Sequence, residues 1–143
     1  MNLRQAGLGI AAAAVIVSPF FFGERSRLNL NEVHPHLQIV AECAIKRTTV
    51  DFVVVDGGRT DTEHKINVAN GKSWVKRSRH QDGMAIDFAA LKGGKITFLH
   101  EYYPPIVYAF KECSKELNIP IVSGADWKVK DMMHIELDRK TYP

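Results

Sequence analysis

The sequence predicts a single α+β domain in which a small antiparallel sheet packs against helices. Apolar residues recur at helical spacing in some segments, while short β-branched runs mark strands in others. Helices and strands alternate without regular βαβ repeats, which argues against a doubly wound parallel sheet. With 143 residues, 45% of them hydrophobic, the chain is long enough for one domain with its own core.

The N-terminal region reads as separate from this domain. Residues 6–23 contain no charged side chain, and a helix of that length would span roughly 27 Å, near the lower limit for crossing a bilayer. This segment has three possible interpretations: an uncleaved signal anchor, a cleaved signal peptide or a buried core helix. Consecutive phenylalanines stand where a cleavage site needs small residues, which favours the anchor. We therefore expect a signal anchor over residues 1–23, a polar linker over 24–33 and the folded domain over 34–143.

The first helix and strand of the domain are expected soon after the linker. Pro35 suits the first turn of a helix, and apolar residues follow it at helical spacing. These residues are Leu37, Val40, Ala41, Ala44 and Ile45. The β-branched run over residues 52–55 predicts a buried strand, and Gly57 and Gly58 end it.

The middle of the chain predicts a helix, a loop and a second strand. Residues 60–63 form a capping box, so a helix is expected to begin at Asp61 and to end at Gly71. Residues 72–81 then read as a loop. Alternation of side-chain type over residues 84–88 indicates the second strand.

The last third of the chain predicts one more helix and two short strands. Residues 92–95 contain two glycines and form a turn. Pro104 opens a helix that runs to about Leu117, where an asparagine and a proline stop it. Residues 121–123 and 133–137 are expected to be strands.

Charge and cysteine usage limit the classes of partner. The net charge is +3, and residues 31–143 carry only about +1, which argues against a nucleic-acid partner. The one basic cluster, over residues 72–79, is either a solvated loop or a patch that attracts an anionic polymer. Neither Cys43 nor Cys113 lies in a C-x-x-C pair, so a thiolate metal site is not expected. The sequence leaves two alternatives for these cysteines: a disulfide between them or two buried free thiols.

Two separated segments together hold candidate ligands for a catalytic metal site. His80, Asp87 and His134 would supply three ligands and leave a fourth position open for water, which is the stoichiometry of a catalytic zinc site. Asp131 adds a free carboxylate three residues before the last ligand, and such a pair suits metal-assisted amide hydrolysis. Spacing alone does not show that these side chains converge, because chance pairs of His and Asp are common.

The surrounding residues resemble a known family. The pattern S-x-H-x-x-G-x-A-x-D, followed about fifty residues later by D-x-x-H, is similar to that of the zinc-dependent peptidoglycan peptidases. These include D-Ala-D-Ala carboxypeptidases and dipeptidases and phage L-alanyl-D-glutamate endopeptidases. The likeness covers about residues 31–137, is strongest to the phage endolysin branch, and implies the fold of the D-Ala-D-Ala carboxypeptidase and hedgehog type. Further matches are Gly57-Gly58-Arg59-Thr60, Ala69-Asn70-Gly71 and Gly124-Ala125-Asp126-Trp127.

The resemblance also implies a cofactor and a general base. It places a Zn²⁺ ion on His80, Asp87 and His134. It makes Asp131 the general base, at a position where many relatives carry Glu. Taken alone, Asp131 reads as a turn residue that caps Met133.

Further residues are carried over with their alternatives. Arg59 is expected to contact substrate or a developing oxyanion, the alternative being a salt bridge to a neighbouring aspartate. Ser78 would bind substrate or orient His80. Trp127 would wall the substrate pocket or lie in the core. Glu136 is expected to share a strand face with the last ligand and to orient it.

We therefore expect a zinc metallopeptidase that hydrolyses peptidoglycan stem peptides at the L-Ala-D-Glu bond, as a phage endolysin in host cell lysis. Its partners would be peptidoglycan and, through the N-terminal segment, the membrane; no nucleic acid is expected, and the protein would be a monomer. The expected location is the inner membrane, the periplasm or both. A D-Ala-D-Ala carboxypeptidase is the alternative enzyme, and a non-catalytic cell-wall-binding module is the alternative of another class.

Overall fold

The computed structural model describes residues 19–58, 69 and 78–143 and confirms the predicted α+β class. In that part of the chain an antiparallel sheet has the order β1-β2-β5-β4, and β3 pairs with the last residues of β2. The strands are β1 (Phe52–Asp56), β2 (Ala85–Lys92), β3 (Lys95–Thr97), β4 (Ile121–Ser123) and β5 (His134–Leu137).

Two longer helices cover one face of the sheet. They are α2 (Pro35–Arg47) and α3 (Tyr103–Leu117), preceded by a short helix α1 (Glu24–Leu30). The five apolar residues predicted to face inward from α2 are all buried. The helix α3 ends at Asn118, which adopts a left-handed conformation with φ of 56° that asparagine tolerates. Single-turn 3₁₀ helices occupy His100–Tyr102 and Gly124–Asp126.

The core lies between the sheet and these helices. Phe52, Phe88 and Phe110, from β1, β2 and α3, are fully buried, and their ring centroids lie 5.4–5.5 Å apart. The helices α2 and α3 also pack against each other, and a disulfide between Cys43 and Cys113 joins them. This cross-link resolves the alternative that the sequence left open.

The region predicted as a linker is an integral part of the domain. Residues 24–30 form α1, which packs along the edge strand β1. Ser26 Oγ accepts a hydrogen bond from the backbone N–H of Val54, and Asn29 Nδ2 donates one to the carbonyl of the same residue. The helix thus satisfies backbone groups that an edge strand would otherwise leave open. The prediction of a polar linker over residues 24–33 is therefore wrong. The sequence did not reveal the helix because its contacts with β1 are long-range and leave no local signal.

The predicted membrane location is also wrong. Within the described residues, no helix has both the length and the apolar character that crossing a membrane requires. At the end of the segment that was expected to anchor the chain, Phe22 is buried in the core, with its ring 5.5 Å from that of Phe52. The rest of that segment, residues 1–18, lies outside the described residues, as does nearly all of the helix predicted from Asp61 to Gly71.

Helix α1 offers a matched test of this revised boundary. Leu30 is 4% exposed, whereas Leu28 on the same helix is 62% exposed. We expect Leu30→Ala to lower the free energy of unfolding by about 2–5 kcal/mol, because it leaves a cavity in the core. Leu28→Ala should change it by no more than about 0.5 kcal/mol. Denaturant titration measures both changes. If both substitutions had equally small effects, α1 would not be part of the folded domain.

Candidate metal centre and active site

Three side chains predicted from separate segments meet at one end of the sheet. One ligand atom from each of His80, Asp87 and His134 lies within 4.8 Å of the other two. His80 Nε2 lies 3.4 Å from one carboxylate oxygen of Asp87, and His134 Nδ1 lies 3.2 Å from the other. Both histidines are buried, and the aspartate is partly buried.

Strand pairing brings two of these residues together. Asp87 on β2 and His134 on β5 are direct cross-strand partners in the antiparallel register. Such partners project side chains from the same face of a sheet. Their neighbours Ile86 and Ile135 are also paired and point into the core from the opposite face, where both are fully buried.

His80 reaches the site from a tight turn that precedes β2. Ser78 Oγ accepts a hydrogen bond from the backbone N–H of His80 at 3.1 Å, which holds the turn. The imidazole Nδ1 lies 3.0 Å from the carbonyl oxygen of Gly57. Gly83 closes the turn with a φ of 69°, which disfavours any residue with a side chain. Ser78 therefore contacts the ligand's backbone, which favours the orienting alternative for this residue.

The loop after β1 fits directly under the N-terminal helix. A β-carbon at Gly57 would lie 1.9 Å from the carbonyl oxygen of Asn29, and one at Gly58 would lie 2.8 Å from that of Glu32. Only glycine permits this approach. Because Gly57 also accepts the hydrogen bond that orients His80, α1 supports the position of this ligand.

Two further charged residues hold His134. Glu136, two residues along β5 on the same face, lies 2.9 Å from His134 Nε2 through one oxygen. Its other oxygen lies 3.6 Å from Arg79 Nε. The Arg79 guanidinium is buried and donates to the carbonyl oxygens of Leu137 and Tyr142. Each histidine therefore presents one nitrogen to Asp87 while its other nitrogen is engaged elsewhere.

The sequence did not identify Arg79 as a site residue, because its basic neighbours suggested a surface position. It ends a basic cluster, for which the readings were a solvated loop or a patch that attracts an anionic polymer. The other basic residues of that cluster lie outside the described residues. The available signal was its place between Ser78 and His80, inside a turn with two functional neighbours.

The electrostatics of the cluster follow from these contacts. Burial acts to raise the pKa of Asp87, but its hydrogen bonds to His134 and His80 and their charges outweigh it and hold that pKa far below the usual range. Burial acts to lower the pKa of His134, but hydrogen bonds to Asp87 and Glu136 raise it to about 9. The carboxylates thus stay ionised and ready to face a cation.

Asp131 lies in the loop that leads into β5. Its Oδ1 accepts a hydrogen bond from the backbone N–H of Met133 at 3.1 Å, which is the turn-capping contact expected of this residue taken alone. A β-carbon on Gly124 would lie 2.3 Å from the carbonyl oxygen of Asp131 and 3.1 Å from the β-carbon of His134. The absence of a side chain at Gly124 therefore lets the Asp131 loop and the ligand strand approach each other.

Asp131 is one of the residues that line a cleft of about 420 Å³. One wall is formed by residues 98–103 and the other by the loop from Trp127 to Met133. The ring of Trp127 is 37% exposed and lies 4.9 Å from the ring of His134. Trp127 is therefore a wall of the cleft and not a core residue. Arg59, the remaining residue with an expected role, lies outside the described residues.

The donor set suits a divalent metal ion. Two imidazole nitrogens and one carboxylate match the ligand types of a catalytic zinc site that keeps one position open. Glu136 behind His134 and the Gly57 carbonyl behind His80 match the outer hydrogen bonds that usually orient metal-binding histidines. The residues present therefore fit the group that the sequence implied.

The chain is similar to known proteins in both sequence and structure. A family model described as phage L-alanyl-D-glutamate peptidase matches residues 18–143. The L-alanyl-D-glutamate peptidase of Escherichia phage T5 is 40% identical over 127 residues, which are 86% of this chain and 93% of the T5 protein. The crystal structure of the Serratia marcescens L-Ala D-Glu endopeptidase ChiX is similar with a TM-score of 0.81 and 35% identity, covering 85% of this chain and 92% of ChiX.

The raised pKa of His134 predicts how metal binding depends on pH. Without a metal its pKa is about 9, so at neutral pH an incoming cation must displace a proton. We expect affinity for Zn²⁺ to rise by about tenfold per pH unit as the pH approaches 9 and to level off above it. Competition with a chelator of known affinity measures this, and an affinity independent of pH between 7 and 9 would contradict it.

The raised pKa of His134 also determines how the stability of the metal-free protein changes with pH. A histidine whose pKa is higher in the folded state stabilises the fold through its charged form. That stabilisation is complete below the unfolded pKa of about 6.5 and is lost as the pH rises through about 9. The metal-free protein should therefore lose stability over the range in which metal affinity increases.

Proposed function

The chain belongs to the phage L-alanyl-D-glutamate peptidase family, and we propose that it hydrolyses the bond between L-alanine and D-glutamate in peptidoglycan stem peptides. The family resemblance drawn from the sequence is confirmed by the family match over residues 18–143. The single observation that carries the activity is the convergence of His80, Asp87 and His134. Asp131 is connected to this cluster through its backbone carbonyl, which accepts a hydrogen bond from the N–H of His134 at 3.4 Å.

The metal is the finer part of this proposal. We propose that His80, Asp87 and His134 hold a Zn²⁺ ion, supported by the ligand types and by their close spacing. A zinc ion in such a site lowers the pKa of a water molecule to about 7 and polarises a substrate carbonyl. Glu136, itself paired with Arg79, would keep the imidazole of His134 in the orientation that ligation needs.

Asp131 is proposed as the general base and then the general acid. It would take a proton from the attacking water and return it to the nitrogen of D-glutamate as the amide bond breaks. The hydrogen bond from Met133 to Oδ1 supports this role, because it orients the carboxylate within the loop that lines the cleft. The turn-capping contact and the catalytic role are thus compatible in one side chain.

The remaining assignments rest on position and family pattern. Trp127 would contact substrate, since it lines the cleft and its ring lies 4.9 Å from that of His134. Ser78 would act by holding the turn of His80, in line with its hydrogen bond to that residue. Arg59 is proposed from the family pattern to bind substrate or stabilise the developing oxyanion. A monomer acting on peptidoglycan as a phage endolysin is the form we propose.

Products from purified peptidoglycan test the reaction. We expect mass spectrometry to show new N-terminal D-glutamate on released peptides. Release of terminal D-alanine alone would identify a carboxypeptidase instead, and binding without any product would identify a cell-wall-binding module. His80→Ala should lose both bound zinc and hydrolysis, whereas His36→Ala, outside the cluster, should keep both. Stoichiometric zinc and full activity in His80→Ala would overturn the site assignment.

Asp131→Asn separates the two roles of this residue. The amide oxygen still accepts the hydrogen bond from Met133, but the side chain takes up no proton. We expect zinc content and melting temperature to be unchanged while kcat falls by about two to four orders of magnitude. Asp138→Asn is the control and should retain activity, because Asp138 follows the last residue of β5 and its carboxylate likewise accepts a hydrogen bond from a backbone N–H two residues on. Near-normal turnover in Asp131→Asn would reduce Asp131 to a turn residue.

A further inference from the structure

The cleft beside Asp131 combines apolar walls with basic side chains. Phe98 and Val129 are each 72% exposed and face the cleft from its two walls, together with Trp127. His100 and Lys130 also line it. Exposed apolar groups around a concave site mark a place where a ligand binds.

The direction of proton transfer assigns this cleft to one side of the substrate. A base that returns its proton to the leaving nitrogen must stand next to the amine half of the broken bond. Asp131 lies at the cleft and, under the proposed function, performs that transfer. The cleft therefore lies on the side of the D-glutamyl residue, and the L-alanyl side extends away from it.

The D-glutamyl residue carries a charge that this cleft can recognise. In a stem peptide it is joined onward through its side-chain carboxyl, so its α-carboxylate is free and lies one carbon from the leaving nitrogen. Lys130 directly precedes Asp131 on the same loop. Its ammonium donates to the carbonyl of Ala125, a neutral acceptor, whereas Lys111 nearby in the fold is paired with the carboxylate of Asp126.

We propose that the cleft binds the D-glutamyl half of the substrate and that Lys130 selects it by pairing with the free α-carboxylate. This inference rests on the proposed function and names the specificity residue of that same site. Lys130 is exposed, so its ammonium is accessible to a substrate carboxylate. A neutral amide at that position would not form the charge pair, would leave the ammonium with only the Ala125 carbonyl, and would bind more weakly.

The experiment compares two substrates that differ in one group. The two substrates are stem peptides in which D-glutamate carries either a free α-carboxylate or an α-carboxamide. Hydrolysis of each is measured with the unaltered full chain and with the variants Lys130→Gln, Lys130→Arg and Lys128→Gln. Lys128 is an exposed lysine on the same loop that does not line the cleft, and it serves as the matched control. Values of kcat and KM are measured for each pair, with zinc content and melting temperature as checks of folding.

We expect the unaltered chain to prefer the carboxylate by about two- to fivefold in kcat/KM, mostly through KM, as for an exposed ion pair. Lys130→Gln should abolish the preference, while Lys130→Arg and Lys128→Gln should keep it. A preference that survives in Lys130→Gln, or none in the unaltered chain, would overturn the inference and leave the cleavage of the L-Ala-D-Glu bond intact. Failure to cut that bond in either substrate would overturn the proposed function and this inference with it.

Discussion

The pairing of β2 with β5 is the constraint on which the rest of the site depends. It sets Asp87 opposite His134 on one face of the sheet and Ile86 opposite Ile135 on the other. A slip of one residue would exchange the two faces, placing the charged pair in the core and the isoleucines on the face that now carries the metal ligands. The fully buried isoleucines therefore specify the register, and burial of apolar surface holds two metal ligands in place.

Supports from distant parts of the chain converge on this pair. From the N-terminal side, α1 covers β1 and packs on Gly57, whose carbonyl orients His80. From the C-terminal side, Arg79 ties the turn of His80 to the carbonyls of Leu137 and Tyr142. Neither α1 nor the C-terminal segment contains a metal ligand. Each nevertheless supports His80 through one intermediate residue, Gly57 for α1 and Arg79 for the C-terminal segment. Rigid support of this kind is what a metal site needs to keep its ligands in reach.

The elements that were predictable are those with a local signal. The helix from Pro35 and the strand at Phe52 follow from periodicity, and the stop at Asn118 follows from a residue that tolerates left-handed backbone. The metal ligands were found by pattern, and their convergence required the fold. The helix over residues 24–30 and the buried Arg79 were missed because the hydrogen bonds that tie them to the sheet reach residues 25 or more positions away in sequence. No property of a short window reveals such contacts.

The burial of so many ionisable groups is itself an argument for function. His80, His134, Glu136 and Arg79 are all buried around Asp87, in a domain of ordinary composition. Such a cluster stabilises a fold no better than well-packed apolar side chains of similar volume. Its cost is understandable if a cation completes it, because the ionised carboxylates then compensate the charge of the metal. The cluster therefore reads as a site whose geometry is maintained for chemistry and not for stability.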